Sequence, residues 1–193
     1  MKQQKVLTNV EREAQAYRVA LDEFPEFAGQ VGILISCFAM IESYVHLLIS
    51  KLTGCSEDDA FVFSGSFMNI RARIDLLESL AKRRKSQDQA AKIARYFVIL
   101  VREATDIRNR YAHGRYSLTF EGGQYSATAK KVMHIDTSLF DANKTPKKII
   151  RDLPAIEVDV KRVKFIICEI HGYLYRDEIP VSLVTWAIDC QRD

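Results

Sequence analysis

Proline and glycine are scarce in this chain, four and eight of 193 residues, which leaves little material for long flexible linkers. The four cysteines, Cys37, Cys55, Cys168 and Cys190, are scattered and form no C-x-x-C pair. That spacing predicts reduced, mostly buried thiols of a cytosolic protein rather than a disulfide framework or a zinc site. Neither sign of charge dominates, because 28 Lys and Arg stand against 25 Asp and Glu for a net charge of +3. Bulk electrostatics therefore do not announce a nucleic-acid partner. Residues 1–13 are polar and charged, so no signal peptide opens the chain. One long apolar run exists, Val31 to Ile49, and Glu42 and His46 interrupt it. A membrane-spanning helix needs about 20 predominantly apolar residues, so the run reads as a covered core helix and the protein as cytoplasmic, without a membrane partner. No G-x-G-x-x-G, P-loop, H-E-x-x-H or G-x-S-x-G is present, which excludes the enzyme classes built on those motifs. No cofactor and no metal is expected.

What remains is an ordinary globular composition, 48% apolar and 27% charged, in a length that fits one domain over residues 1–193. Helix punctuation is frequent. Thr8-x-x-Glu11 reads as a capping box for a helix ending near Phe24, before Pro25. A second helix is predicted from about Glu26 to Leu52, stopped by Thr53-Gly54. Ser56-Glu57-Asp58-Asp59 caps a short helix through Phe63, and a third long helix runs from about Phe67 to Lys85. Ser86-x-x-Gln89 reads as another capping box, opening the fourth long helix from Gln87 to His113 with Gly114 as its stop. The period then changes. Tyr116 to Phe120 and Tyr125 to Ile135 flank Glu121-Gly122-Gly123-Gln124 and predict a β-hairpin over about 116–135. A loop containing Pro146 and Pro154 leads to helices over about 158–190. The expected fold class is all-α, a helical bundle carrying one inserted hairpin.

Dividing the chain exposes what the net charge hides. Residues 66–115 hold 12 Lys and Arg against 5 Asp and Glu, whereas residues 1–65 hold 5 against 9 and the remainder is balanced. A basic stretch of this kind gathers phosphate backbone by counterion release, or is a solvated face paired with acidic neighbours. Charge alone leaves both readings open.

The fourth long helix is the most informative segment. Ile93, Phe97, Leu100, Ala104, Ile107 and Tyr111 recur every three or four residues and predict one continuous buried face. Arg102, Asp106, Asn109 and His113 fall on the opposite stripe at about 100° per residue, flanked by Arg108 and Arg110. Val98 also lies near that far side, which suggests that a second surface, such as another subunit, covers part of it. Asp106 is placed to pair with Arg110 one turn on. Glu42 and His46, also one turn apart, read as a buried pair or as support for a cleft. His134 and His171 carry no assigned role. Tyr116, Phe120 and Tyr125 suit packing within the hairpin better than base stacking.

The segment Arg108-Asn109-Arg110-Tyr111-Ala112-His113-Gly114 resembles the R-x4–6-H signature of the HEPN superfamily, with the polar Asn109 directly after the arginine. The resemblance extends to its setting at the end of the fourth long helix, before a C-terminal helix, and spans about residues 8–176. It implies a helical bundle and, for many members, a metal-independent endoribonuclease acting as a toxin or in phage defence. It also implies pairing of two copies so that two motifs share one cleft, with RNA as substrate and an antitoxin or other regulatory protein as a further partner. In toxins silenced by a nucleotidyltransferase a tyrosine stands two places after the histidine. Here that place holds Arg115 and the tyrosine is Tyr116, which argues against that form of regulation.

The residue types fit the chemistry. Metal-free RNA cleavage needs a base for the 2′-hydroxyl, charge stabilisation at phosphorus and an acid for the leaving 5′-oxygen. A histidine exchanges protons near neutral pH, which suits His113 as base or acid. The guanidinium fork of Arg108 suits phosphate oxygens, and Asn109 sits one turn before His113, placed to orient the ring or bind substrate. Arg102, Arg110 and Arg115 are candidate RNA contacts. The bland reading of Arg108 and His113 is a pair of cations at a helix C-terminus, favourable to its dipole by about 0.3–1 kcal/mol each. The alternative function is a non-catalytic HEPN-like module that binds RNA, nucleotide or protein, and a third is a structural all-α adaptor.

Overall fold

The computed structural model describes residues 21–67, 69–84, 88–121, 130–136 and 148–180. Among them five helices and three strands follow in the order α1 (Pro25–Thr53), α2 (Glu57–Gly65), α3 (Ile70–Arg83), α4 (Gln89–Ala112), β1 (Arg115–Glu121), β2 (Lys130–Asp136), β3 (Lys148–Arg151) and α5 (Leu153–Arg176). The protein is mostly helical with a small antiparallel sheet.

Each helix start has a local cause. Pro25 occupies the opening position of α1, where its missing N–H is not needed. Gly54, at φ 77°, ends the same helix in the left-handed region and donates its N–H to the Ser50 carbonyl at 2.7 Å. Ser56 caps α2 by accepting from the Asp59 amide, and Asn69 caps α3 by accepting from the Ala72 amide at 2.9 Å. Asp88 serves α4, its Oδ1 accepting from the Ala90 amide at 2.8 Å, while Ser86 of the expected capping box lies outside the described residues. Asp152 does the same for α5 through the Ala155 amide at 3.1 Å.

The contacts divide the chain into two compact units, residues 1–34 with 108–160, and residues 35–107 with 161–193. In the former, the sheet order is β1-β2-β3, with Arg115 opposite Asp136, Glu121 opposite Lys130, and Met133 opposite Arg151. The central strand buries Val132, Met133 and Ile135, and Phe27 is fully buried with its ring 6.3 Å from Tyr111 and 6.4 Å from Tyr116. In the latter, Ile74, Leu77, Ile93, Phe97, Leu100, Val163, Ile166 and Ile170 form the core. Phe97 stacks 5.3 Å from Tyr173, and Arg162 grips Glu103 through two hydrogen bonds of 2.7 Å.

Several expectations are corrected. The hairpin is part of a three-stranded sheet, because Lys148–Arg151 forms a strand where a loop was expected. Glu121 pairs with Lys130, and residues 122–129, which hold the expected Gly122-Gly123 turn and the start of the second expected strand, lie outside the described residues. The helix expected from about residue 158 starts at Leu153 and holds Pro154 in its opening turn, where a proline costs no hydrogen bond. Cys55 and Cys168 are exposed and Cys37 half-buried, so these thiols are free but not mostly buried; Cys190 is outside the described residues. The helices expected over residues 8–24 and 181–188 are outside them as well, apart from residues 21–24. Among the described residues α1 alone is long and apolar enough to cross a membrane, and Phe27, Leu34, Phe38, Ile41, Val45, Leu48, Ile49 and Leu52 along it are buried within the protein.

Candidate functional site

The six apolar residues expected on one face of the motif helix, Ile93 through Tyr111, are all buried. This face fixes the rotation of α4 and presents Asn109 and His113 to solvent, with Arg108 half-buried beside them. The Arg108 Nη1 donates to Asn109 Oδ1 at 3.1 Å and lies 2.8 Å from His113 Nε2. A guanidinium only donates, so the ring nitrogen is the acceptor of this contact. Arginine, asparagine and histidine of the motif thus meet on one guanidinium at an exposed helix end.

The turn out of the helix is tightly built. At Gly114 a Cβ would stand 2.1 Å from Ile135 Cγ2 and 3.0 Å from the Arg110 carbonyl, so β2 approaches the helix end only because that residue is glycine. Tyr116 donates its hydroxyl to the Tyr111 carbonyl, satisfying one of the acceptors that a helix C-terminus leaves open. Burial pushes the Tyr116 phenol well above the ordinary tyrosine range, and its hydroxyl is thereby committed inside the fold. Tyr111 is raised by burial and then by the Asp159 carboxylate that accepts its hydroxyl at 2.5 Å.

The other arginines part company with the motif. Arg110 pairs with Asp159 of α5 at 3.5 Å, not with Asp106 as its spacing suggested. Arg102 belongs to the other unit, where α3 holds it by Glu78 at 2.6 Å and Asp75 at 3.3 Å. Arg115 lies on β1, and its side chain is outside the described residues. Much of the basic stretch is similarly engaged: Lys82 with Glu78 at 2.8 Å, Arg84 with Asp88 at 3.2 Å, and Arg73 with the Phe67 carbonyl. Val98 is buried within its own chain, which removes the apolar far side once read as a subunit contact; the exposed apolar residue of α4 is Ile99.

His46 bonds through Nδ1 to Ser64 of α2 rather than to Glu42, with the Phe61 ring 5.2 Å away. Burial, and then the Arg73 guanidinium, hold its imidazole below the usual range. His134 shares a 2.6 Å hydrogen bond with Thr119, and His171 stacks between Tyr44 and Tyr175. Among the described residues no group of three His, Cys, Asp or Glu is placed to hold a metal ion. Arg151 and Asp159 escaped the sequence reading, although the β-branched pair Ile149-Ile150 before Arg151 was a usable strand signal. Comparison with protein-family models, with curated proteins and with solved structures returns no match.

Proposed function

We propose that this chain is a HEPN-like endoribonuclease that cleaves RNA without a metal ion, as a toxin or phage-defence effector, through Arg108, Asn109 and His113. The observation that carries the reading is the 2.8 Å contact between Arg108 Nη1 and His113 Nε2, with Asn109 on the same guanidinium at a solvent-facing helix end. A phosphodiester entering there takes the donors of Arg108 and releases the ring nitrogen. His113 Nε2 then accepts the 2′-hydroxyl proton, the 2′-oxygen attacks phosphorus, and the P–O5′ bond breaks. Arg108 neutralises the charge that develops on the phosphorane. The products are a 2′,3′-cyclic phosphate and a 5′-oxygen that takes a proton from a second acid. A second copy of the chain, brought up by a two-fold axis, supplies that acid as its own His113. Arg102 and Arg115 remain RNA contacts of this reading, outside the catalytic group.

The test is to incubate the protein and its His113→Ala variant with total RNA in EDTA. Cleavage by the parent alone, with cyclic-phosphate ends, is expected. Absence of cleavage by both, with RNA still retained, would replace the nuclease with the non-catalytic binding module.

A further inference from the structure

Arg110 and Tyr111 follow the motif arginine, and both reach away to Asp159, where Arg151 of β3 joins them. One carboxylate, 16% exposed, thus faces two guanidiniums. The carboxylate does not satisfy them. Tyr111 takes Oδ2 at 2.5 Å, Arg110 Nη2 stands at 3.5 Å from Oδ1, and Arg151 Nε at 3.6 Å from Oδ2. A charge-assisted pair closes to about 2.7–2.9 Å, and Arg162 with Glu103 does so in this same protein, twice at 2.7 Å. Among the described residues the buried Nε atoms of Arg110 and Arg151 have no hydrogen-bond partner, and Arg151 Nη1 donates to the Ile150 carbonyl at 3.3 Å. Two like charges are therefore held close, with one negative charge between them and donors to spare.

We infer that Arg110 and Arg151 form a phosphate-binding subsite, built around Asp159, that takes the oxygens of an RNA backbone phosphodiester or of a free phosphate. The planar fork of arginine matches phosphate in two parallel hydrogen bonds, and a second anion supplies the acceptors that Asp159 lacks. The tyrosine and the carboxylate fix the guanidiniums in advance, so binding costs little ordering. The inference is independent of cleavage and stands or falls on anion affinity.

The experiment uses full-length protein carrying His113→Ala, so that RNA is not consumed whether or not the parent is a nuclease. Inorganic phosphate and a short single-stranded oligoribonucleotide are titrated separately by calorimetry at low salt. Arg110→Ala and Arg151→Ala are each expected to weaken phosphate binding about tenfold or more, one charge-assisted hydrogen bond or better. Asp159→Asn keeps the Tyr111 acceptor and removes the competing charge, so it is expected to tighten phosphate, which a merely structural ion pair would not do. If the oligoribonucleotide also weakens, with its salt dependence reduced by about one counterion per arginine, the ligand is backbone; if phosphate alone responds, it is a free phosphate. Folded Arg110→Ala and Arg151→Ala proteins, checked by circular dichroism, that bind both ligands as the His113→Ala background does would overturn the subsite, as would a background protein that binds neither.

Discussion

The imidazole of His113 gains its acceptor role from the guanidinium five residues earlier, and this is a local relation within one turn and a half of helix. Arg108→Lys keeps a charge but loses the fork, so cleavage is expected to fall by about 10²–10³, the usual cost of removing a preorganised donor. His113→Ala is expected to abolish cleavage while changing stability by less than about 0.5 kcal/mol, since the side chain is exposed. Cleavage assays and chemical denaturation of the same two variants separate these outcomes. His46 is instead buried, and burial followed by the Arg73 guanidinium lowers its proton affinity. Its folded state binds a proton less readily than the unfolded chain, so stability is present above the unfolded value of about 6.5 and declines as pH falls through it. Thermal melts between about pH 5 and 7.5 are expected to show that decline, with a flatter profile in His46→Gln, which retains a partner for Ser64. The motif trio was legible in the sequence because its members are neighbours. Asp159 was not, because its partners Arg110 and Tyr111 lie 49 and 48 residues away and no spacing rule connects them.

At the level of elements, caps, Pro and Gly punctuation and periodicity together located every described helix, and the errors fell at their ends. Caps depend on which of several polar side chains reaches an amide, so the roles of Asp88 and Asn69 went unnoticed. The third strand was hidden for another reason: Lys148–Arg151 is four residues long and gains its pairing from β2, a partner no local pattern names. The junction of α4 with β1 is the element boundary on which the site depends. At Gly114 a methyl group meets Ile135 Cγ2 at 2.1 Å, and the opposing contact is backbone, so the chain has little room to give. Gly114→Ala is expected to cost about 1–3 kcal/mol by overpacking. Ile135→Ala, costly alone by cavity formation, is expected to relieve it, so the double variant loses less than the sum in urea denaturation. Additive losses would show that the two residues do not press on each other.

For the whole molecule, part of the excess of positive charge in residues 66–115 is already engaged by acidic neighbours. Glu78 alone takes Lys82 and Arg102, and Asp88 takes Arg84. Surface ion pairs of this kind contribute little to stability, but they reduce the number of guanidiniums that a phosphate backbone finds unengaged. A nuclease reading then rests on the motif site, and a site with a single imidazole lacks an acid for the leaving oxygen. The expected remedy is a dimer of about twice the 22.1 kDa chain. Cleavage per chain should then fall on dilution through the dissociation constant, while sedimentation shows the same midpoint. Mixing wild-type and His113→Ala chains in varied ratio at a fixed total concentration gives a sharper reading. If each site needs an imidazole from both copies, mixed dimers are inactive and activity falls as the square of the wild-type fraction. A fall in simple proportion to that fraction would mean that one chain performs both proton transfers, with water or another side chain as the acid.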